Sequence, residues 1–336
     1  MNSRWLLCGL AILPCWWGCQ EKSLPFDPDS ALEDRVSGEK AFQHVEALVG
    51  FGPRPAGSEA LEESRAYLEE QLAALGWETR RQTFTAKTPE GQVDFVNLRA
   101  RFGDVDWSKP TEGLLASHYD SKFYETFEFV GANDGGSSTG LLVELARVMR
   151  NRPEVAQRVE LVFFDGEEAF GPKVTPTDGL YGSKHYAKEW LAVKPEARPQ
   201  WGMLLDMVGD RDLKIRAGVR IPRASIEQLT AAAEGGYPIE IGAVERSITE
   251  LSRDLLNAAE DLGYDSQVGI SPDLFIGDHV PLNISAGIPT INLIDLDFPY
   301  QYTPGDTLDK ISADSLEISG RVTLRLIEKY LLGNDS

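Results

Sequence analysis

Four short apolar runs constrain this chain most: "GLLAS" (113–117), "VELVFF" (159–164), "GMLLDMVG" (202–209) and "PTINLI" (289–294). A half-buried strand alternates apolar and polar residues. These runs are apolar almost throughout, as strands covered on both faces of a parallel sheet are. Helical patterns separate them. Leu141, Leu142, Leu145, Val148 and Met149 mark the buried face of a helix over about 137–150. Further helices are expected near 179–193, near 223–234 and 249–262 around a variable stretch, and over 312–332. Upstream, Ser58 can cap a helix that carries Leu61, Leu68, Leu72 and Leu75 on one face and closes at Gly76. Residues 77–86 and 94–102 read as an antiparallel edge pair. Strands alternating with helices predict an α/β fold, a single domain whose mostly parallel central sheet has helices on both faces. The 336 residues, 42% of them hydrophobic, suffice for such a core.

The N-terminus reads differently. Arg4 precedes the apolar run "WLLCGLAILPCWWG", too short to cross a bilayer comfortably and suited to an export signal. All three cysteines, Cys8, Cys15 and Cys19, lie in this region. Cleavage before Cys19 would place it at a new N-terminus, which resembles a bacterial lipoprotein with Gly18 as the small preceding residue. An ordinary signal cleaved elsewhere and an uncleaved anchor are the alternatives. Residues 1–18 are therefore expected to be a signal peptide, 19–38 a polar, proline-broken tether, and 39–336 the folded domain. Such a protein would be exported and lipid-anchored at the cell envelope. Its body, free of cysteine, must take its stability from the core. Asp and Glu outnumber Lys and Arg by 53 to 33, a formal charge of −20. That surface repels nucleic acid and anionic headgroups, so membrane contact is expected only through the N-terminal lipid.

The polar residues gather where the strands end. His118 and Asp120 follow "GLLAS", Asp134 sits in "GANDGGSSTG", and Glu167 and Glu168 follow "VELVFFD". Asp206 ends "GMLLD", and Asp278 and His279 precede "PTINLI". Open α/β sheets collect their ligands at the carboxyl edge. Carboxylates brought together there repel unless they share protons or a cation, and Asp, Glu and His are suitable zinc ligands. Singly, each is weak: a lone "HxD" is more often a capping or core pair, and "EE" more often a solvated loop tip. The "NDGG" segment suits a helix N-terminus by itself, and it lacks the glycine spacing and lysine of a phosphate loop. The order and company of the motifs carry the reading.

Those motifs are "VGFGPRPAGS", "ASHYDSK", "FVGANDGG", "LVFFDGEEAFG", "LYGSKHYA", "LLDMVG" and "GDHVPL…GIPTINLI". Over about residues 39–332 the chain resembles the di-zinc aminopeptidase family, and within it the glutaminyl cyclase branch. The resemblance implies an aminopeptidase-like three-layer sandwich, a monomer, one zinc ion, and peptide or protein N-termini as substrate. It implies Asp134, Glu168, His118 and Asp206 as metal ligands, with Asp134 shared between sites. Glu167 would be the acid/base, with Asp206 and Asp278 organising the proton path. The implied reaction is closure of an N-terminal glutamine to pyroglutamate. Aminopeptidase action is one alternative, and a non-catalytic peptide-binding module is another. The last arises from "FPYQYTPGDTLDK" (298–310), where Tyr302 stands at the position of the cyclase's third zinc ligand, a histidine. None of the four histidines, His44, His118, His185 and His279, lies in that loop. Gln301 likewise replaces the family's tryptophan.

Overall fold

The structure, a computed structural model, describes residues 30–221 and 237–333. The expected signal peptide, Cys19 and the helix expected near 223–234 lie outside the described residues. The chain divides into Met1–Ser30 and a compact unit, Ala31–Ser336. The compact unit thus begins earlier than the tether expectation allowed. Leu32 and Val36 are buried in the core, and Ser37 caps the helix Gly38–Gly50 (α1) by accepting from Lys40 N. Two apolar side chains in "ALEDRVSG" outweigh the polar ones around them.

Among the described residues eight strands form one sheet: β1 (Trp77–Thr88), β2 (Gly91–Phe102), β3 (Gly113–His118), β4 (Val159–Phe164), β5 (Trp201–Asp206), β6 (Ile215–Gly218), β7 (Val268–Ile270) and β8 (Thr290–Ile294). Their order is β1-β2-β4-β3-β5-β8-β6-β7. The middle four, β4-β3-β5-β8, run parallel, and β1 and β2 form the expected antiparallel edge pair. The short β6 and β7 went unrecognised in the variable stretch. β6 lies antiparallel to β8, where Arg216 pairs with Ile294.

The apolar runs do feed two layers. Leu115, Leu161, Phe163, Met203 and Leu205 belong to the larger cluster, with α1, Glu59–Ala74 (α2), Ser138–Met149 (α3), Ile241–Leu262 and Ala313–Arg325. Leu114, Ala116, Val162, Phe164 and Leu204 face the other way, onto Tyr186, Ala187 and Trp190. Successive residues of a strand point to opposite faces, so only residues apolar at both parities fit both layers. The helix Ile241–Leu262 starts earlier than expected, because Val244 and Ile248 extend its buried stripe. Among the described residues, no helix is long and apolar enough to cross a membrane.

Registers set the site. His118 pairs with Phe164, Ala116 with Leu204, and Asp206 with Ile294. The ends of β3, β4, β5 and β8 therefore fall on one edge.

Candidate metal centre and active site

His118 is the last residue of β3 and is 1% exposed. Its Nε2 stands 3.3 Å from Asp134 Oδ1 and 3.3 Å from Asp206 Oδ1. His118, Asp134 and Asp206 each offer a donor atom within 4.8 Å of the others, a group that could hold a metal ion. Asp134 Oδ2 is buried without a hydrogen-bond partner. Two carboxylates and an imidazole around one point, with an orphaned oxygen, fit a zinc-type donor set.

Other side chains orient this trio. Asp120 Oδ1 lies 3.4 Å from His118 Nδ1. The Asp120 carboxylate also accepts the backbone N–H groups of Glu167 and Glu168, at 3.2 and 3.1 Å. One carboxylate thus ties the loop after β3 to the loop after β4. Asp134 lies in a kinked turn where Gly135 has φ 76°. A Cβ on Gly135 would meet Asp120 O at 2.7 Å and His118 Cε1 at 2.9 Å, so glycine is required there. Asp306 accepts from Asn133 N at 2.7 Å and Asp134 N at 3.0 Å. Arg54, fully buried, donates to Tyr119 O, Val130 O and Gly131 O. Sequence reasoning missed the roles of Asp306 and Arg54. Both lie inside motifs of the resemblance, yet neither sits at a strand end.

Burial dominates the electrostatics. Burial alone would lower the His118 pKa, but Asp120, Asp134 and Asp206 more than offset it and raise it well above the ordinary value. Burial raises Asp134, helped by Asp206 and opposed by His118. Glu167 is raised well above the usual carboxyl range by burial, with Glu168, Asp278 and Asp206 adding repulsion against the pull of His118. Asp278, fully buried, is pushed up to about 7, chiefly by burial.

The structure does not bring every expected residue into one set. Glu168 stands outside the trio; its Oε2 is 3.7 Å from Lys122 Nζ, and neither of its oxygens has a hydrogen-bond partner. His279 is buried, with Nδ1 unpartnered, and packs against Phe275. Tyr302 is 39% exposed, and Glu168 first, then burial, raise its phenol above the ordinary range. It adopts φ 57°, while Met207, beside Asp206, has φ 46°. Left-handed backbone at non-glycine residues is costly and tends to cluster at functional sites.

The sheet and the cluster at its edge define the class: the chain belongs to peptidase family M28, which matches residues 106–327. Within that class the similarity runs to glutaminyl cyclases. The chain is 30% identical over 298 residues to a glutaminyl-peptide cyclotransferase-like protein of Mus musculus, covering 83% of this chain and 72% of the relative. The crystal structure of a glutaminyl cyclase from an Acidobacteriales bacterium matches with a TM-score of 0.70 and 29% identity, over 92% of this chain and 98% of that one. A leucine aminopeptidase precursor from Bacteroides thetaiotaomicron shares the fold, with a TM-score of 0.72, 22% identity, and 87% and 97% of the two chains covered.

Proposed function

We propose that this protein is a metal-dependent glutaminyl-peptide cyclotransferase, acting on the N-terminal glutamine of peptides and proteins. The observation that carries the reading is Glu167. It is a carboxyl beside the His118, Asp134 and Asp206 trio, and burial first, then repulsion from Glu168, Asp278 and Asp206, makes it hold a proton readily. Cyclisation needs such a group. The α-amine nitrogen bonds to the γ-carboxamide carbon, the C–N bond to the amide nitrogen breaks, and one proton must pass from the amine to the departing ammonia. Glu167 accepts that proton and returns it, which is general base followed by general acid. Burial, with repulsion from Glu168 and Asp278, keeps Glu167 basic enough for the first half of the transfer.

Zinc would be held by His118, Asp134 and Asp206, with a single ion as the expected content. When bound, it supplies Lewis-acid polarisation of the carbonyl oxygen. Aminopeptidase action is the second reading, favoured by the intact trio, which supplies one of the two metal sites that the di-zinc aminopeptidase resemblance implies. One incubation separates them: a peptide beginning with glutamine either loses ammonia and keeps its length, or releases free glutamine. Unchanged peptide would leave the binding-module reading.

The export reading rests on Arg4, the apolar run and Cys19. Cys19→Ser should move the protein from the membrane to the soluble fraction. Continued sedimentation with membranes would point to an uncleaved N-terminal anchor.

A further inference from the structure

A second cavity, of about 270 Å³, is lined from β2, the segment before β3 and the turn after the helix Tyr181–Glu189. It lies at the opposite edge of the sheet from the metal centre. β2 runs antiparallel to β4 with Ala100 opposite Leu161, so Arg101 lies level with the start of β4. Glu167 and Glu168 come after the last residue of that strand, Phe164. The strand between them spans about 17 Å.

The cavity is unusual in charge. The guanidinium carbons of Arg80, Arg99 and Arg101 lie 4.5, 5.7 and 4.7 Å from the centroid of the Trp107 ring, within cation–π range. Lys109 lines the same space. Such crowding of cations runs against the −20 charge of the whole chain. Arg99 and Arg101 share one buried carboxylate, that of Glu160, which leaves one positive charge for another anion to match. Glu189 partly fills that role, accepting from Arg99 Nη1 at 2.8 Å, but its side chain is 45% exposed. Exposed pairs are weak, so a better-seated anion can displace it. Arg99 Nη2 donates no hydrogen bond among the described residues.

The backbone acceptors nearby are already occupied. Lys109 O accepts from Arg101 Nη1 at 2.6 Å, Trp190 O from Val193 N at 3.0 Å, and Val193 O from Arg198 Nη2 at 2.7 Å. Glu189 apart, the charged wall therefore offers donors. The apolar wall is made by Trp107, Trp190 and Val193. An apolar cavity with a few polar groups on one side is the usual form of a small-molecule site.

We propose that this cavity binds a small organic monoanion, a carboxylate on a flat apolar body, at a site separate from the metal centre. The carboxylate displaces Glu189 and takes Arg99 Nη1 and Nη2 together, the paired geometry that guanidinium groups give to carboxylates. The body lies against Trp107 and Trp190. At about 30 Å³ per water the cavity holds about nine waters, which matches the size of benzoate. A polyanion exceeds both that volume and the single unmatched charge. Binding needs neither metal nor peptide, so it is tested apart from the cyclase reading.

The experiment is calorimetric titration of sodium benzoate into the full chain. Saturable binding with a Kd of about 1 mM or tighter is expected, and benzamide, the neutral isostere, should bind at least about tenfold more weakly. Glu189→Gln removes the competing carboxylate and should tighten benzoate about three- to tenfold. Ala197 is exposed at the rim, so Ala197→Trp should fill the cavity and abolish binding while the urea midpoint stays near wild type. The proposal is overturned if benzoate does not saturate, if benzamide binds equally well, or if Glu189→Gln weakens binding. It is also overturned if Ala197→Trp still binds benzoate, which would place the anion at the metal centre.

Discussion

The carboxylate of Asp306 accepts the backbone N–H of Asp134 at 3.0 Å, across 172 residues of sequence. It also accepts the preceding N–H, from Asn133. The loop after β8 thereby fixes the turn that aims Asp134 at His118. Asp306→Ala should weaken zinc binding by about 10–100-fold, the usual effect of losing a group that orients a ligand. Asp306→Asn retains an acceptor oxygen and should lose less. Zinc titration of both variants checks this, and equal loss would show that charge matters more than the hydrogen bonds.

Glu167→Gln preserves shape and removes the proton-transfer group. Ammonia release should fall by about 10²–10⁴-fold, the range for loss of a general acid/base. Metal content should stay near wild type, because Glu167 lies outside the trio. Elemental analysis beside a coupled ammonia assay reads both. Activity within a few-fold of wild type would remove Glu167 from the mechanism.

His44 gives stability a dependence on pH away from the site. Its Nδ1 lies 2.6 Å from the Tyr67 hydroxyl, and burial, with Arg147 adding repulsion, lowers its pKa to about 4. An unfolded histidine titrates near ~6.5. Between those values the unfolded chain binds the proton first, so stability is full above about 6.5 and falls as pH drops toward 4. With partial exposure the loss should be about 1–3 kcal/mol. His44→Phe should flatten this limb in urea titrations at pH 7.5 and 4.5. An unchanged slope would mean that carboxylate titration alone explains it.

Glu160 is 1% exposed inside β4 and is paired with Arg99 and Arg101, accepting from Arg101 Nε at 2.7 Å. Glu160→Gln leaves two mostly buried guanidinium groups facing a neutral amide. The expected cost is about 3–5 kcal/mol, read as a shift of the urea midpoint with an unchanged slope. A shift below about 1 kcal/mol would mean that water reaches the arginines.

Glu160 also shows where local pattern stops being informative. In "VELVFF" it looks like a polar interruption, yet β2 supplies its two arginines by pairing beside β4. The apolar runs, the parallel sheet, the layers and the strand-end acids were legible because burial writes a periodicity into each segment. The order of those motifs was also enough to point to the family. Tyr302 was visible as a departure for the same reason, since one residue type at one place in a motif is a local fact.

Long-range geometry decided the rest. Sequence placed Asp134, Glu168, His118 and Asp206 at one edge and proposed them all as ligands. Strand register and loop paths set donor atoms of His118, Asp134 and Asp206 within 4.8 Å of one another, with Glu168 Oε2 3.7 Å from Lys122 Nζ. Asp306 and Arg54 hold the site through backbone groups, and a hydrogen bond to a backbone leaves no mark on the residue that provides it. β6 and β7 were too short for a period to emerge, and only pairing with neighbours made them strands. The sequence determined which chemical groups this protein can bring to its sheet edge. The tertiary structure decided which of them meet, because distances of a few ångströms depend on where separate strands end.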